Sequence, residues 1–124
     1  MKLMQQEKIY TVETDGEPIR ISGEVLATVA GIAAADVEGV AGLGESPLDF
    51  ALRLLGKRRI SAGVRVDEGE KGLIISISIT VAYGYSAPAV AAKVQREVIS
   101  AVDSMTGVPL AAVNVTVADV RLTK

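Results

Sequence analysis

Apolar residues recur along this chain with two different periods, and the change from one to the other marks out its elements. Residues 9–21 read as short extended pieces broken at Asp15-Gly16. Ser22 then stands where a helix N-cap belongs, and Glu24 places a carboxylate in the first turn, where the helix dipole favours it. Val25, Val29, Ile32 and Ala33 recur at helical spacing, and so do Leu26, Ala30 and Val37. The pattern predicts a helix with a broad apolar face that Gly39 ends. Residues 40–44 are Gly-rich and predict a short strand or loop. Ser46-Pro47-Leu48-Asp49 combines a cap, a Pro at the first helical position and an acid soon after, and so opens a short helix closed by Gly56.

The period then changes to two. Ile60, Ala62, Val64 and Val66 alternate with Ser61, Gly63, Arg65 and Asp67. After a polar turn over residues 67–72, Leu73, Ile75, Ile77, Ile79, Val81 and Tyr83 alternate with smaller or polar residues. The two runs predict a hairpin whose odd-numbered side chains face the core. Ser86 caps another helix, which tolerates Pro88 in its first turn and lines one face with Val90, Val94, Val98, Ala101, Val102 and Met105. Gly107 and Pro109 stop it. Val113, Val115 and Val117 form a last strand, and the shift to Val120 and Leu122 predicts a bulge near Ala118-Asp119.

These elements add up to an α+β fold of two layers. The expectation is a mainly antiparallel sheet of about three to five strands, with two long helices and one short helix on one face. Residues 1–16 are expected to be loosely ordered and residues 17–124 to form one domain. The run 73–92 carries no charge and has the length of a membrane span. Its strict alternation, followed by Gly84, Ser86 and Pro88, fits a strand, a turn and a helix start instead. No apolar signal-peptide segment is visible at residues 1–8.

Composition narrows the chemistry. Of the 124 residues 49 % are hydrophobic, enough for a core without disulfides or metals, but only Phe50, Tyr10, Tyr83 and Tyr85 are aromatic. There is no Cys and no His. Triads built on Ser-His-Asp or Cys-His are therefore excluded within one chain, and zinc, haem and iron–sulfur centres lose their usual ligands. No cofactor and no catalytic set is expected. The net charge is −2, whereas a general nucleic-acid binder carries a basic excess.

Three stretches, taken together and in order, resemble a known family. They are Ile19-Arg20-Ile21-Ser22-Gly23-Glu24-Val25 running into Ala30-Gly31-Ile32-Ala33 and Val37-Glu38-Gly39-Val40-Ala41-Gly42; Val81-Ala82-Tyr83-Gly84 with Pro88, Val94, Gln95 and Val98; and Met105-Thr106-Gly107 leading to Val113-Asn114-Val115. Their order and spacing are similar to the alkaline shock protein 23 family, or Gls-type general stress proteins, over residues 17–122. The resemblance implies a non-enzymatic cytoplasmic bacterial protein tied to envelope or general stress. It would act as a self-associating scaffold or a regulatory protein-binding module. It implies a homo-oligomer, a place at the inner face of the cell membrane through a membrane-anchored protein, or control of fatty-acid synthesis through a carboxylase subunit. No catalytic residues are established for the family, so none is carried over.

Four clusters are candidates for contact with partners. Leu48, Phe50 and Leu54, with Lys57, Arg58 and Arg59 after them, make an apolar helix with a basic end. Such a helix fits an anionic membrane or a partner groove, and equally the protein's own core. Tyr83 and Tyr85 flank a strand-to-helix junction and offer apolar area with a polar tip. Gly39 and Gly42 bound a GxxG run, the device by which KH domains clamp a nucleic-acid backbone. Its apolar middle residues and the preceding Glu38 favour a tight turn instead. Asp67, Glu68 and Glu70 sit at a hairpin tip and read as solvated charge rather than a cation site. Asn114-Val115-Thr116 matches a glycosylation acceptor but falls inside a strand.

Overall fold

The computed structural model describes residues 9–12, 16–43 and 63–122. Eight elements follow one another: β1 (Ile9–Val12), β2 (Ile19–Ser22), α1 (Gly23–Ala35), β3 (Val40–Leu43), β4 (Val64–Gly69), β5 (Gly72–Ala82), α2 (Ala87–Thr106) and β6 (Leu110–Arg121). The fold is α+β in two layers, as the pattern predicts. The short helix expected after residue 46, and Ile60 and Ala62 of the expected strand, lie outside the described residues.

Strand β5 organises the main sheet. Leu73, Ile75, Ile77, Ile79 and Val81 are buried on one face, so the period of two marks the inward side. β4 pairs antiparallel along the first half of β5, from Gly69↔Gly72 to Val64↔Ile77. β3 pairs antiparallel with its end, from Leu43↔Ile79 to Val40↔Val81. The N–H groups of Ser78 and Ala82 donate to the carbonyls of Gly63 and Gly39, so β3 and β4 occupy the same edge of β5 one after the other. β6 takes the other edge and runs parallel to β5, from Leu73↔Leu110 to Ala82↔Arg121. A 20-residue helix joins β5 to β6 and carries the chain back to the starting end of the sheet, which a parallel neighbour requires. The sheet is thus mixed: two antiparallel pairings and one long parallel pairing. The register slips between Val117 and Asp119, where the sequence predicts a bulge, and again between Leu110 and Ala112.

The helices cover the odd-numbered face. Ser22 Oγ accepts from the Val25 N–H (3.1 Å) and Ser86 Oγ from the Ala89 N–H (3.3 Å), so both caps sit where the sequence puts them. α2 buries Val90, Val94, Val98 and Val102 in one stripe and ends at Gly107, whose φ of 72° is the left-handed closing conformation. Met105 continues that stripe past the end of the core and is exposed. α1 makes a sharper choice. Of its two apolar sets it buries Leu26, Ala27, Ala30 and Ala34 and leaves Val25 and Ile32 outside. The short Ala side chains let it lie close against α2 and the sheet. It stops at Ala35, earlier than Gly39 suggests, and Gly39 serves the turn beyond with φ 98°.

β1 and β2 form a separate two-stranded antiparallel sheet, from Ile9↔Ser22 to Val12↔Ile19. β1 lies within the segment expected to be loosely ordered. What fixes it is Tyr10, whose ring enters the main core and whose hydroxyl donates to the Val66 carbonyl of β4 (3.3 Å).

Candidate interaction surfaces

Tyr83 and Tyr85 stand in the turn between β5 and α2, both exposed, Tyr83 at 72 %. Tyr85 folds back over the turn that follows α1. Its hydroxyl donates to Glu38 Oε2 (3.1 Å), and its ring lies so close to Gly39 that a Cβ there would sit 3.0 Å from the ring and 2.7 Å from Val90 Cγ2. The hydrogen bond from Tyr85 to the Glu38 carboxylate, then that negative charge, then slight desolvation hold the Tyr85 phenol above its ordinary pKa. Gly39 is therefore required twice, for its positive φ and for the close approach of Tyr85 and Val90.

Gly42 belongs to β3, paired with Thr80, and not to the same turn. The Arg121 side chain crosses the outer face of the sheet and donates from Nη1 to the Ala41 carbonyl (3.1 Å). So the structure brings Tyr85, Glu38 and Gly39 together and gives Gly42 to strand pairing. Leu48, Phe50, Leu54, Lys57, Arg58 and Arg59 lie outside the described residues. At the β4–β5 hairpin Asp67 Oδ2 meets Arg65 Nε at 2.9 Å, a largely solvated pair of little energetic weight.

A further surface has no single motif in the sequence. On the outward side of the helix layer α1 exposes Val25 and Ile32 (53 %) and α2 exposes Met105 (72 %), while Ile99 (48 %) is exposed on the opposite flank of α2. Between the helices runs an open groove of about 630 Å³ with Ile32, Ala33 and Ala101 on its apolar side and Asp36 and Glu97 among its polar groups. The signal for it is the second apolar set on α1, which a helix with only one buried face does not need. Among the described residues no group of three acids, His or Cys is placed to hold a metal ion. Among the same residues no helix is long and apolar enough to cross a membrane.

Comparison with known proteins fixes the family. A model of the alkaline shock protein 23 family, described as having a cell envelope-related function, matches residues 11–122. The chain belongs to that family. This bears out the resemblance carried by the three sequence stretches. Among its relatives, the uncharacterized protein YqhY of Bacillus subtilis is 31 % identical over 103 residues, 83 % of this chain and 76 % of that one. YloU of the same organism, also uncharacterized, is 36 % identical over 107 residues, 85 % and 89 % of the two chains. Spy1535 of Streptococcus pyogenes, again uncharacterized, is 36 % identical over 106 residues. Among solved structures, variants of MamM CTD superpose with a TM-score of 0.47 at 18 % identity, over 77 % of this chain and 93 % of theirs.

Proposed function

We infer that this family member is a non-enzymatic, self-associating protein-binding module of the envelope or general stress response. The observation that carries this reading is the apolar surface left outside the core. Ile32 and Met105, both more than half exposed, border one groove on a helix layer whose core is already filled by Leu26, Ala30, Val94 and Val98. A contiguous apolar surface that a fold does not use for itself marks contact with another macromolecule.

Two features support a binding role over catalysis. The chain has no His or Cys to act as nucleophile, base or soft metal ligand. Among the described residues, Tyr85 with Glu38 and Arg65 with Asp67 meet in exposed pairs rather than in a dry pocket. On this reading the protein works in the cytoplasm, either free or peripheral at the membrane through an anchored partner. A carboxylase subunit is the alternative partner that the family resemblance suggests.

Sedimentation of the pure protein across a concentration series tests self-association. The expected result is a rising mean mass, and a strict monomer at high concentration overturns it. Capture on the tagged protein from membrane and soluble fractions, with and without nuclease, then tests the binding role. A protein that stays bound after nuclease treatment is expected, and binding that disappears with nuclease contradicts the reading.

A further inference from the structure

Strand β6 is the outer strand of the main sheet, and the geometry says which of its groups face outward. Ser78 and Ala82 turn their N–H groups to the β4 and β3 side, so even-numbered residues of β5 serve that edge and odd-numbered ones serve β6. In the parallel register Ile77↔Val115, the groups of Ile77 therefore bond to Asn114 and Thr116. The N–H and C=O groups of Val113, Val115 and Val117 point away from the sheet. One hydrogen bond confirms the direction: Gln95 Nε2, from α2, donates to the Val113 carbonyl (3.0 Å). Among the described residues no other bond reaches this edge at Val113, Val115 or Val117.

An open edge invites another strand, and sheets usually guard theirs with Lys, Pro, inward charges or bulges. Here the guards stand only at the ends. Register slips lie between Leu110 and Ala112 and between Val117 and Asp119, and between them residues 112–117 hold no charge and no Pro. Val115 and Val117 are half-buried on the helix side, Asn114 and Thr116 exposed on the other. Ile99, 48 % exposed, lies one helical turn beyond Gln95 on the same flank of α2. Backbone groups and an apolar stripe thus run side by side along one border, the two elements of strand addition.

We propose that this edge pairs with the same edge of a second copy, antiparallel about a two-fold axis through Val115. The proposal rests on the self-association inferred above and assigns it to the β6 edge and Ile99, not to the groove between the helices. The segment is self-complementary in one register. Centred on Val115, the pairing uses all three outward residues of both strands: Val115 faces itself, and Val113 faces Val117 of the second copy. On the outer face Asn114 then stands opposite Thr116 of the second copy, an amide against a hydroxyl. With no charge in the stretch, pairing with itself brings no like charges together. The sheets join into one, the two α2 helices come to lie on the same side, and Ile99 is covered. Gln95 swings off the Val113 carbonyl so that the outer bonds can form after the central Val115 pair.

Charge exchange on the exposed face tests this with the full-length chain. One variant carries Asn114→Lys with Thr116→Lys, the other Asn114→Glu with Thr116→Glu. Each places like charges opposite each other twice, and each alone is expected to weaken the dimer by about tenfold or more. An equimolar mixture is expected to restore a heterodimer, read by sedimentation with one variant labelled. Circular dichroism and thermal melts verify that both variants fold. If the wild type dimerises and neither variant weakens it, the edge is wrong while self-association stands. If both variants weaken the dimer and the mixture does not restore it, the antiparallel register is wrong. A wild type that stays monomeric overturns both proposals.

Discussion

The two edges of the main sheet are built in different ways. The β4 edge is short and charged, with Arg65, Asp67 and Glu68 in sequence, and its outward Val66 carbonyl is taken by the buried Tyr10 hydroxyl. The β3 portion continues that edge, and it starts from the turn in which Tyr85 covers Gly39 and bonds to Glu38. The β6 edge is the longest strand of the sheet, is uncharged through residues 112–117, and has one side-chain amide from Gln95 laid on a single carbonyl. The β4 part of one edge is capped at Val66 by Tyr10, which is itself anchored in the core. Among the described residues, the other is covered by one exposed side chain that can rotate away. A protein that avoided association would not be expected to leave its longest edge the less guarded of the two.

Breaking the seal on the first edge has the largest expected effect. Tyr10→Ala removes a buried ring and the hydroxyl on Val66, and should cost about 3–5 kcal/mol of stability in urea unfolding, the range for losing a buried aromatic side chain. Tyr10→Phe keeps the ring and should cost about 1 kcal/mol, the share of one hydrogen bond. If the two variants are equal, the ring is not what holds β1 to the sheet.

Loosening the cover on the second edge should act in two directions. Gln95→Ala removes the bond to Val113 and should lower monomer stability by no more than about 1 kcal/mol. The same change should tighten the dimer, because the Val113 carbonyl no longer has to be released first. Paired unfolding and sedimentation experiments check both effects, and a weakened dimer would show that Gln95 belongs to the interface instead of covering it.

The smallest effect concerns the Tyr85–Glu38 contact. The folded Tyr85 pKa is raised above the unfolded one, so the neutral phenol is the favoured form in the folded protein. The stabilisation is complete below the ordinary tyrosine pKa of about 10 and is lost as the pH rises through the folded value. In absorbance titration Glu38→Gln should lower the Tyr85 midpoint towards the ordinary value, and an unchanged midpoint would place the cause elsewhere.

Much of this was legible in the sequence, and the rest failed for identifiable reasons. The stripe Val90, Val94, Val98 and Val102, the alternation of β5, both Ser caps and the bulge after Val117 follow from periodicity and local chemistry. The buried face of α1 did not, because both of its sets are apolar and only packing against α2 selects Ala30 and Ala34 over Ile32. The parallel pairing of β6 is invisible to alternation, which is the same in either direction. The strand–helix–strand order around α2 is compatible with it, but the expectation of a mainly antiparallel sheet did not draw on that order. The role of Tyr10 depends on a contact with Val66, 56 positions away, that no local pattern encodes. The open edge needs the hydrogen-bond direction of each residue in β6, and this follows from the register with β5 and from nothing in β6 alone.

The most direct measurement is amide hydrogen exchange at Val115 and Val117, resolved by NMR over a dilution series of the wild-type protein. Both N–H groups point off the sheet, so in the monomer they exchange fast. The account predicts that their protection rises with concentration, in step with the dimer fraction, while the amides of β4 stay constant. Fast exchange at Val115 in a sample shown to be dimeric would contradict it.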